Sequence, residues 1–452
     1  MKKVFLWSFL LAGLAAIAQD KENSSPGTTT TWKFDFGSGK TTPGYIKVTP
    51  DTKYSEKTGY GFSHHFSAKA IDRKTASLLT SDFIGSDSSF FFSVKLPDGN
   101  YNIKLLLGDV KGTSATTVRV ENRRLMLQNV RTAKGQILTK TFTVHVRDSL
   151  IRDKEGVTDK VRLKSRERTY LHWDDMLTLE FNDSASKVCA VEISPNKTAT
   201  TVFLAGNSTV VDQDREPWAA WGQVFPVFFE PGKVVIANYA ESGETLKAFK
   251  GEKRLQKIWS LAKPGDYLFI EFAHNDQKPG SSHLDAFTTY KETLKEWINE
   301  AKNRKMIPLL VTSMNRRSFD STGHIINTLE GFPEAMRQTA KEENVTMIDL
   351  NAMSKTLYEA WGPEASVKAF VHYPANTFPG QKEALKDNTH FNSYGAYELA
   401  RCIVQGLKGS KSGLASFLKK DIPVFDPAKP DPVEKWYWPM SPLIEAVKPD
   451  GN

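Results

Sequence analysis

The 452-residue chain contains only two cysteines, Cys189 and Cys402. So few thiols exclude a scaffold of several disulfides and a zinc site with four thiolate ligands. A single bridge between the two cysteines and two separate buried thiols both remain open, and the apolar neighbours of each cysteine favour buried thiols. Beyond the first residues, no stretch reaches the roughly 18 consecutive apolar residues of a membrane-spanning helix. The sequence therefore predicts no membrane insertion.

The chain also lacks a strong excess of one charge, since 60 Lys and Arg stand against 52 Asp and Glu for a net charge of +8. Its densest basic stretch runs from Arg152 to Arg168, but acidic residues interleave it. This pattern is not typical of a nucleic-acid interface, and we expect no nucleic-acid partner. The modest basic balance suits either an anionic substrate or an ordinary mixed surface.

Residues 1–18 have the three parts of a secretory signal peptide. Lys2 and Lys3 precede an apolar run from Val4 to Leu14, and Ala16-Ile17-Ala18 forms a small-x-small cleavage site. We therefore expect export to the periplasm or the exterior of a bacterium. Loss of the two lysines changes the net charge from +8 to +6. Residues 19–31 are polar and rich in Ser and Thr, which predicts a flexible leader.

The hydrophobic pattern divides the rest of the chain into two domains and a tail. Residues 32–196 alternate apolar and polar side chains and carry turns such as Pro97-Asp98-Gly99-Asn100. This pattern predicts an antiparallel β-sandwich. Residues 197–410 instead alternate short apolar runs with helical patterns, which predicts a doubly wound α/β domain of the flavodoxin-like kind. Residues 411–452 have no clear period and are expected to form an irregular tail that packs on the body.

Five apolar runs in the second domain predict a five-stranded parallel sheet, and they are Thr201–Leu204, Val234–Ala237, Tyr267–Phe272, Ile307–Val311 and Val345–Leu350. One helix is also clear, because its apolar residues recur every three or four positions. These residues are Leu284, Phe287, Tyr290, Leu294, Trp297, Ile298 and Ala301. Ligands of such sheets bind beyond the carboxyl ends of the strands, so chemistry is expected just after each run.

Residues suited to acyl transfer follow the first three strands and reappear near the end of the domain. Ser208 follows the first strand, where we expect a helix to begin and the hydroxyl to be exposed. Gly243 follows the second strand and Asn275 the third, and both offer N–H donors to an oxyanion. Asp387 and His390 stand three residues apart, so the carboxylate can orient an imidazole that takes the proton of a serine. Each signal alone is weak, but together they predict a nucleophile, a base, an orienting group and an oxyanion hole.

The stretches Ala205-Gly206-Asn207-Ser208-Thr209-Val210 and Phe272-Ala273-His274-Asn275-Asp276-Gln277 resemble the SGNH (GDSL-type) hydrolase family, and within it the rhamnogalacturonan acetylesterases. The resemblance covers roughly residues 200–410. The upstream region resembles, more loosely, a galactose-binding-type β-sandwich.

The resemblance implies that Ser208, Asp387 and His390 form the catalytic triad. It implies an oxyanion hole made of the N–H groups of Ser208 and Gly243 and the side chain of Asn275. Two positions depart from the family pattern, since Asn207 replaces the usual Asp and Ala273 replaces the usual Gly. Neither change removes a group that takes part in chemistry, so the reaction class is expected to hold.

The implied substrate is an acetylated polysaccharide or oligosaccharide, most directly anionic pectic rhamnogalacturonan. Arg316 and Arg317 follow the fourth strand and are candidate contacts for a sugar carboxylate, and His274 is a further candidate substrate contact. No cofactor and no metal are expected, because His64, His65 and His372 have no third ligand at a suitable spacing.

Three alternatives remain at this point: an esterase for xylan or another acetyl ester, a lipid or thioester hydrolase of the same fold, and a glycan-binding protein with an inactive hydrolase domain. The sandwich domain is expected either to bind glycan through Trp173 or Tyr60, or to keep these aromatics in its core and serve as a scaffold.

Overall fold

A computed structural model of the protein describes residues 30–63 and 67–450. The expected signal peptide, most of the expected leader, and the pair His64-His65 lie outside the described residues. None of the helices in the described ranges is long and apolar enough to cross a membrane. Cys189 and Cys402 are both buried and both free, so they do not form a bridge.

The first unit is a sandwich of β-strands that all end by residue 195. Strand β13 joins its two layers, because its first half pairs with β6 and β8 and its second half pairs with β1, β5 and β7. The strands are β1 (Trp32–Phe36), β2 (Ile46–Val48), β3 (Tyr60–Ser63), β4 (Lys69–Asp72), β5 (Asp82–Ser86), β6 (Phe90–Lys95), β7 (Gly99–Gly108), β8 (Ser114–Val120), β9 (Arg124–Thr132), β10 (Ile137–Val146), β11 (Leu150–Asp153), β12 (Gly156–Lys160) and β13 (Met176–Pro195).

The alternating pattern of the sandwich puts one face of each central strand into the core. Phe34 and Phe36 of β1 are fully buried, and both rings meet Phe92 of β6 at a steep angle. This edge-to-face contact is a favourable geometry for aromatic pairs. The predicted antiparallel sandwich is confirmed, although β1 and β2 pair in parallel.

The second unit contains the five-stranded parallel sheet that the apolar runs predict. Its strands are β14 (Thr200–Gly206), β15 (Val234–Asn238), β16 (Tyr267–Glu271), β17 (Ile307–Val311) and β18 (Thr346–Ile348). They lie in the order β15-β14-β16-β17-β18, and each neighbouring pair is parallel. This is the flavodoxin-like order, whose switch point lies between β14 and β16, where such sheets bind ligands.

The sheet is covered by helices on both faces, and one of them differs from its prediction. The helices are α1 (Trp221–Val224), α2 (Leu246–Gly251), α3 (Arg254–Leu261), α4 (Lys291–Asn303), α5 (Phe332–Glu342), α6 (Leu350–Ala365) and α7 (Ser393–Gly409). The predicted apolar face of α4 is buried, except that Phe287 is 53% exposed. A wider π-helical turn, Ala286–Tyr290, precedes α4 and takes Phe287 off the buried face.

A two-stranded antiparallel hairpin, β19 (Phe370–Tyr373) and β20 (Leu385–Phe391), adds to this unit and precedes α7. The sequence pattern did not predict it, because both strands are short and a register shift interrupts their pairing. The hairpin matters for the site because β20 contains both Asp387 and His390.

The tail packs on both units through its aromatic side chains. The ring of Tyr397 on α7 stacks on Phe228, with 5.7 Å between centroids, and on Trp436 of the tail, with 4.4 Å. Trp436 stacks in turn on Trp438 at 6.0 Å, and the guanidinium of Arg119 on β8 lies 4.1 Å above the Trp438 ring. This aromatic stack therefore runs from the α/β unit through the tail to the sandwich.

The sandwich also reaches into the α/β unit with buried arginines at the turn between β8 and β9. Arg124 donates two hydrogen bonds to Oδ2 of Asp212, from Nε at 2.8 Å and from Nη2 at 2.6 Å. Arg123 lies 2.8 Å from the carboxylate of Glu216 and donates to backbone carbonyls of residues 213–218. The loop that follows β14 is thus held by side chains from the other unit.

Candidate active site

Ser208 lies in a tight turn directly after β14, at the carboxyl edge of the sheet. The side chain of Asn207 shapes the turn, because its Oδ1 accepts hydrogen bonds from the N–H of Thr209 at 3.0 Å and from its hydroxyl at 2.8 Å. Gln213 Nε2 donates to the carbonyl of Ser208 at 2.8 Å. The expectation that a helix begins here is wrong, because the N–H groups of Val210 and Val211 close only a single turn on the carbonyl of Asn207 and the next helix begins at Trp221. The expected exposure of the serine is also wrong, since Ser208 is 2% exposed.

An imidazole and a carboxylate from β20 complete a hydrogen-bonded chain with this serine. His390 Nε2 lies 2.8 Å from Ser208 Oγ, although the two residues are 182 positions apart. His390 Nδ1 lies 2.7 Å from Asp387 Oδ2. The N–H of Ala219 donates to the carbonyl of Phe391 at 2.8 Å, which ties the strand end to the loop that follows the serine.

The environment of Asp387 favours its charged form. Burial alone would raise the pKa of this carboxyl, but the His390 imidazole and the N–H groups of Thr389 and His390 hydrogen-bond to the carboxylate. The net effect is a pKa well below the ordinary value of an aspartate. A charged Asp387 accepts from His390 Nδ1–H, which favours the tautomer whose unprotonated Nε2 faces the serine hydroxyl as a proton acceptor.

Gly243 lies in a turn after β15 that requires a glycine. The turn spans Glu241 to Glu244 and is closed by a 3.3 Å hydrogen bond from the N–H of Glu244 to the carbonyl of Glu241. Gly243 occupies its third position with a φ of +81°, which side chains disfavour. Among the residues that the structure describes, the N–H groups of Gly243 and Ser208 have no acceptor, so both remain available to a ligand.

Asn275 follows β16 and is oriented by groups on both sides. Its Nδ2 donates to the carbonyl of Glu244 at 3.0 Å, and its Oδ1 accepts from Lys278 Nζ at 3.1 Å. The second N–H of the amide is thereby left for another acceptor. The carboxylate of Asp276 accepts from the N–H of Leu246 at 2.8 Å, so the loops after β15 and β16 are joined.

Two of the three predicted substrate contacts, Arg316 and Arg317, have protein partners for their side chains, whereas neither ring nitrogen of His274 has a hydrogen-bond partner among the described residues. Arg317 donates to Ser366 Oγ at 2.9 Å and to Asn388 Oδ1 at 3.2 Å, which supports the strand that holds His390. Arg316 donates to the carbonyl of His274 at 3.1 Å and to Thr328. His274 is 1% exposed, and burial first, then the nearby cations, lowers the pKa of its imidazole well below the ordinary value. Contact with substrate stays a prediction for all three, and the geometry gives Arg317 a positioning role.

Two residues of this site were not found from the sequence. Glu271, the last residue of β16, is buried beneath the Ser208 turn, where it accepts from Trp221 Nε1 at 2.7 Å and from Thr209 Oγ1 at 3.1 Å. Burial raises the pKa of this carboxyl to about 7, against hydrogen bonds that lower it. The other residue is Gln213, which holds the Ser208 carbonyl. A carboxylate that ends an otherwise apolar strand is the sequence signal that points to Glu271.

The remaining candidates from the sequence fall outside this site. Trp173 is buried, with the guanidinium of Arg147 4.2 Å above its ring, so it is not a glycan platform. Tyr60 is half-buried against Phe34. His372 Nε2 lies 2.8 Å from Asn388 Oδ1. Within residues 30–63 and 67–450, no group of three possible metal ligands occurs.

A flavodoxin-like, doubly wound domain with a Ser–His–Asp chain at the carboxyl edge of its sheet has the layout of a serine hydrolase. In agreement with this layout, residues 204–396 match the sequence model of the GDSL-like lipase/acylhydrolase family. Residues 32–152 match that of the β-agarase/YXIM esterase-like, galactose-binding domain-like family. The chain belongs to the GDSL-like lipase/acylhydrolase family, a family of ester-cleaving enzymes, and carries a galactose-binding-like domain before the hydrolase domain.

Two proteins of Bacillus subtilis illustrate the similarity. The chain is 43% identical to rhamnogalacturonan acetylesterase RhgT over 209 residues, which cover 46% of this chain and 89% of RhgT. It is 27% identical to the uncharacterized esterase YxiM over 405 residues, which cover 88% of this chain and 95% of YxiM. A crystal structure of YxiM aligns with a TM-score of 0.44 and 26% identity, over 84% of this chain and 98% of that one.

Proposed function

We propose that the protein is a serine esterase that removes O-acetyl groups from a plant polysaccharide. The observation that carries this proposal is the hydrogen-bonded chain from Ser208 Oγ through the His390 imidazole to Asp387. A serine hydroxyl becomes a nucleophile when a base takes its proton, and this geometry supplies the base and the group that orients it.

In the proposed reaction, His390 takes the proton of Ser208 as Oγ attacks the acetyl carbonyl carbon. The negative charge that develops on the carbonyl oxygen is stabilised by the N–H groups of Ser208 and Gly243 and the side-chain amide of Asn275. The C–O bond to the sugar then breaks, and the sugar alcohol leaves with the proton from His390. Water, deprotonated by His390, attacks acetyl-Ser208 in the same way, which releases acetate and restores the serine.

The proposed substrate is acetylated pectic rhamnogalacturonan. Support comes from the 43% identity to a protein named as a rhamnogalacturonan acetylesterase. The net charge of +8 is compatible with a polymer that carries sugar carboxylates. We further infer that the protein acts outside the cytoplasm, on the signal-peptide pattern of residues 1–18.

Acetate release from acetylated rhamnogalacturonan, xylan and long-chain esters, with Ser208→Ala beside the wild type, tests both parts. We expect release from the pectic polymer and a loss of at least about 10⁴-fold in Ser208→Ala. Wild-type release by Ser208→Ala would reject the mechanism. A clear preference for xylan or for long-chain esters, with Ser208→Ala inactive, would reject only the substrate. Labelling of Ser208 by an organophosphonate would exclude an inactive, purely glycan-binding domain.

A further inference from the structure

We propose that Lys164 and Arg166, two cations of the segment that leads into β13, act as positioning residues for the oxyanion hole. They hold the carbonyl of Ser242, and this orients the N–H of Gly243 in the same peptide unit. The inference rests on the proposed function, because it assigns the Gly243 N–H to a developing oxyanion. It gives the interleaved basic stretch from Arg152 to Arg168 a role that its charge pattern alone does not indicate.

Both cations bind the same backbone oxygen. Lys164 Nζ donates to the carbonyl of Ser242 at 2.8 Å, and Arg166 Nη2 donates to it at 2.8 Å. A carbonyl oxygen has two lone pairs, so it accepts both bonds at once. The position of this oxygen is therefore fixed from the side of the sandwich unit.

The carbonyl and the next N–H of a trans peptide point in opposite directions. When Lys164 and Arg166 hold the oxygen of Ser242, the N–H of Gly243 must point away from them. That N–H has no acceptor among the described residues. The carbonyl of the next residue, Glu244, accepts a hydrogen bond from the side-chain amide of Asn275 at 3.0 Å. The two proposed oxyanion donors thus belong to one connected unit.

Glycine makes this orientation dependent on outside support. At position 243 it permits the φ of +81° that the turn requires, but it also permits other backbone angles. A rotation of the Ser242–Gly243 peptide would replace the N–H by a carbonyl oxygen, which repels an oxyanion. Two hydrogen bonds to charged donors, which are stronger than bonds between neutral groups, oppose that rotation. They also polarise the peptide and strengthen its N–H as a donor.

The cations are themselves held in place by carboxylates. Lys164 pairs with Glu244, and Arg166 pairs with Glu241 at 2.8 Å and with Asp450 of the tail. The N–H of Lys164 donates to Glu167 at 2.8 Å, and Glu167 is bound by the buried Arg254 of α3 at 2.5 Å. The two cations are therefore pre-organised before any substrate binds.

Lys164 and Arg166 lie outside both family matches, which end at residue 152 and begin at residue 204. They thus belong neither to the part of the chain that resembles a galactose-binding domain nor to the part that resembles other GDSL hydrolases. The contact is a property of how this chain joins its two units.

The test compares kcat, KM and the thermal unfolding temperature of the full chain on a small chromogenic acetyl ester. The variants are Lys164→Met, Arg166→Met and the double variant. We expect kcat to fall about 5–10-fold in each single variant and about 100-fold in the double variant, which approaches the loss of one oxyanion donor. KM should change less than about twofold, because the N–H acts in the transition state. Lys164→Arg and Arg166→Lys, which keep a cationic donor, should recover most of the activity.

Lys257→Met is the matched control. Lys257 is also a buried lysine that joins the two units, through Asp148 at 3.2 Å and the carbonyl of Leu150, but its partners are not part of the site. Lys257 is more deeply buried than the half-buried Lys164, so its loss should cost at least as much stability. We expect a lower unfolding temperature in this variant with kcat within about twofold of wild type.

Three outcomes would overturn the inference. The double variant could keep the wild-type kcat, or the conservative variants could fail to recover activity. Lys257→Met could also lose as much kcat as the Lys164 and Arg166 variants do at the same loss of stability. Ser208→Ala in the same assay is the control for the proposed function. If Ser208→Ala stays active, the proposed function fails; if it is inactive, the three outcomes above concern the positioning role alone. Should the double variant fail to fold, the single and conservative variants decide by the same criteria.

Discussion

The two halves of the candidate site differ in where their support comes from. The proton-transfer half consists of Ser208, His390 and Asp387, and its direct contacts all lie within the α/β unit. The oxyanion half consists of backbone N–H groups and Asn275, and the turn around Gly243 is bound by Lys164 and Arg166 from the sandwich side. The α/β unit thus supplies the direct contacts of the nucleophile and its base, and the sandwich supports them only indirectly, through Arg123 and Arg124 on the loop after β14. In the other half the sandwich side binds the turn itself and helps to set where its N–H group points.

The electrostatics of the two halves differ in the same way. Around the imidazole, hydrogen bonds keep the pKa of Asp387 low, so the negative charge there is permanent. Around the Gly243 turn, burial raises the pKa of Glu241 to about 7 and that of Glu244 to about 8, even though Arg254 and Lys164 oppose this. A charged Asp387 serves proton transfer, whereas Glu241 and Glu244 serve the Gly243 turn mainly as partners that hold Arg166 and Lys164 in place.

The largest effect is expected in the proton-transfer half, from Asp387→Asn. An amide cannot keep the imidazole in the tautomer whose unprotonated nitrogen faces Ser208, so kcat should fall about 10³–10⁴-fold. Steady-state kinetics on an acetyl ester measure this. Asp266→Asn is the control, because Asp266 is equally buried and accepts from the N–H of Thr201 at 2.8 Å, but at the opposite edge of the sheet. Equal losses in the two variants would contradict a role for Asp387 in proton transfer.

The next effect concerns the oxyanion half, where Asn275→Ala should lower kcat about 10²–10³-fold with little change in KM. The loss arises because the second N–H of the amide is no longer available to the oxyanion. Asn196→Ala, which removes a buried asparagine near the start of β14, is expected to retain wild-type kcat. If KM rises while kcat stays constant, Asn275 binds substrate rather than the transition state.

A smaller effect is expected from Gly243→Ala, because a methyl group fits but the backbone angle is disfavoured. The nearest atom to an added Cβ is 3.5 Å away, so the cost comes from the φ of +81° and amounts to about 1–2 kcal/mol. We expect a kcat about tenfold lower as the turn shifts. Gly232→Ala has the same strain at a φ of +78°, and its added Cβ would lie in ordinary contact with Asn102 Oδ1 at 3.8 Å, away from the site. Its stability should fall by a similar amount while kcat is unchanged, and an equal fall in kcat would contradict the assignment.

The smallest effect on activity is expected from Glu271→Gln, whose main consequence is for stability against pH. The pKa of Glu271 is raised from 4.5 to about 7, so the folded protein binds its proton more tightly than the unfolded chain does. This contribution is complete below about pH 4.5 and is lost as the pH rises through about 7. With about 1.4 kcal/mol for each tenfold change in proton affinity, it amounts to about 3 kcal/mol.

Urea unfolding at pH 4.5 and pH 7.5 checks this prediction. Wild type should lose about 3 kcal/mol more than Glu271→Gln does between the two pH values. Glu292→Gln, a change at an exposed position of α4, should behave like wild type. An identical pH dependence in wild type and Glu271→Gln would show that Glu271 is not protonated in this window.

The sequence predicted most of the fold, and it predicted those site residues that belong to a short, recognisable motif. The apolar runs predicted all five parallel strands because a sheet buried on both faces leaves continuous apolar segments. The grouping of Ser208, Gly243 and Asn275 followed from what parallel strands bring to one edge of a sheet. Asp387 and His390 were recognised instead by their spacing of three residues and by the family resemblance.

What escaped prediction depends on side-chain hydrogen bonds and long-range packing. The Asn207 side chain replaces a helix by a turn after β14, and the hairpin that carries His390 is too short to show a period. Lys164 and Arg166 resemble surface charges in the sequence, since only the fold reveals that one backbone carbonyl faces them both.

The aromatic stack of Tyr397, Trp436 and Trp438 makes the association of the units observable by spectroscopy. The indole rings of Trp436 and Trp438 lie between Tyr397 of the α/β unit and the guanidinium of Arg119 in the sandwich. If the units separate before either one unfolds, the emission of these tryptophans changes while the far-ultraviolet circular dichroism stays constant. Undocking of the two units can therefore be followed without an added label, in the same titration that measures their unfolding.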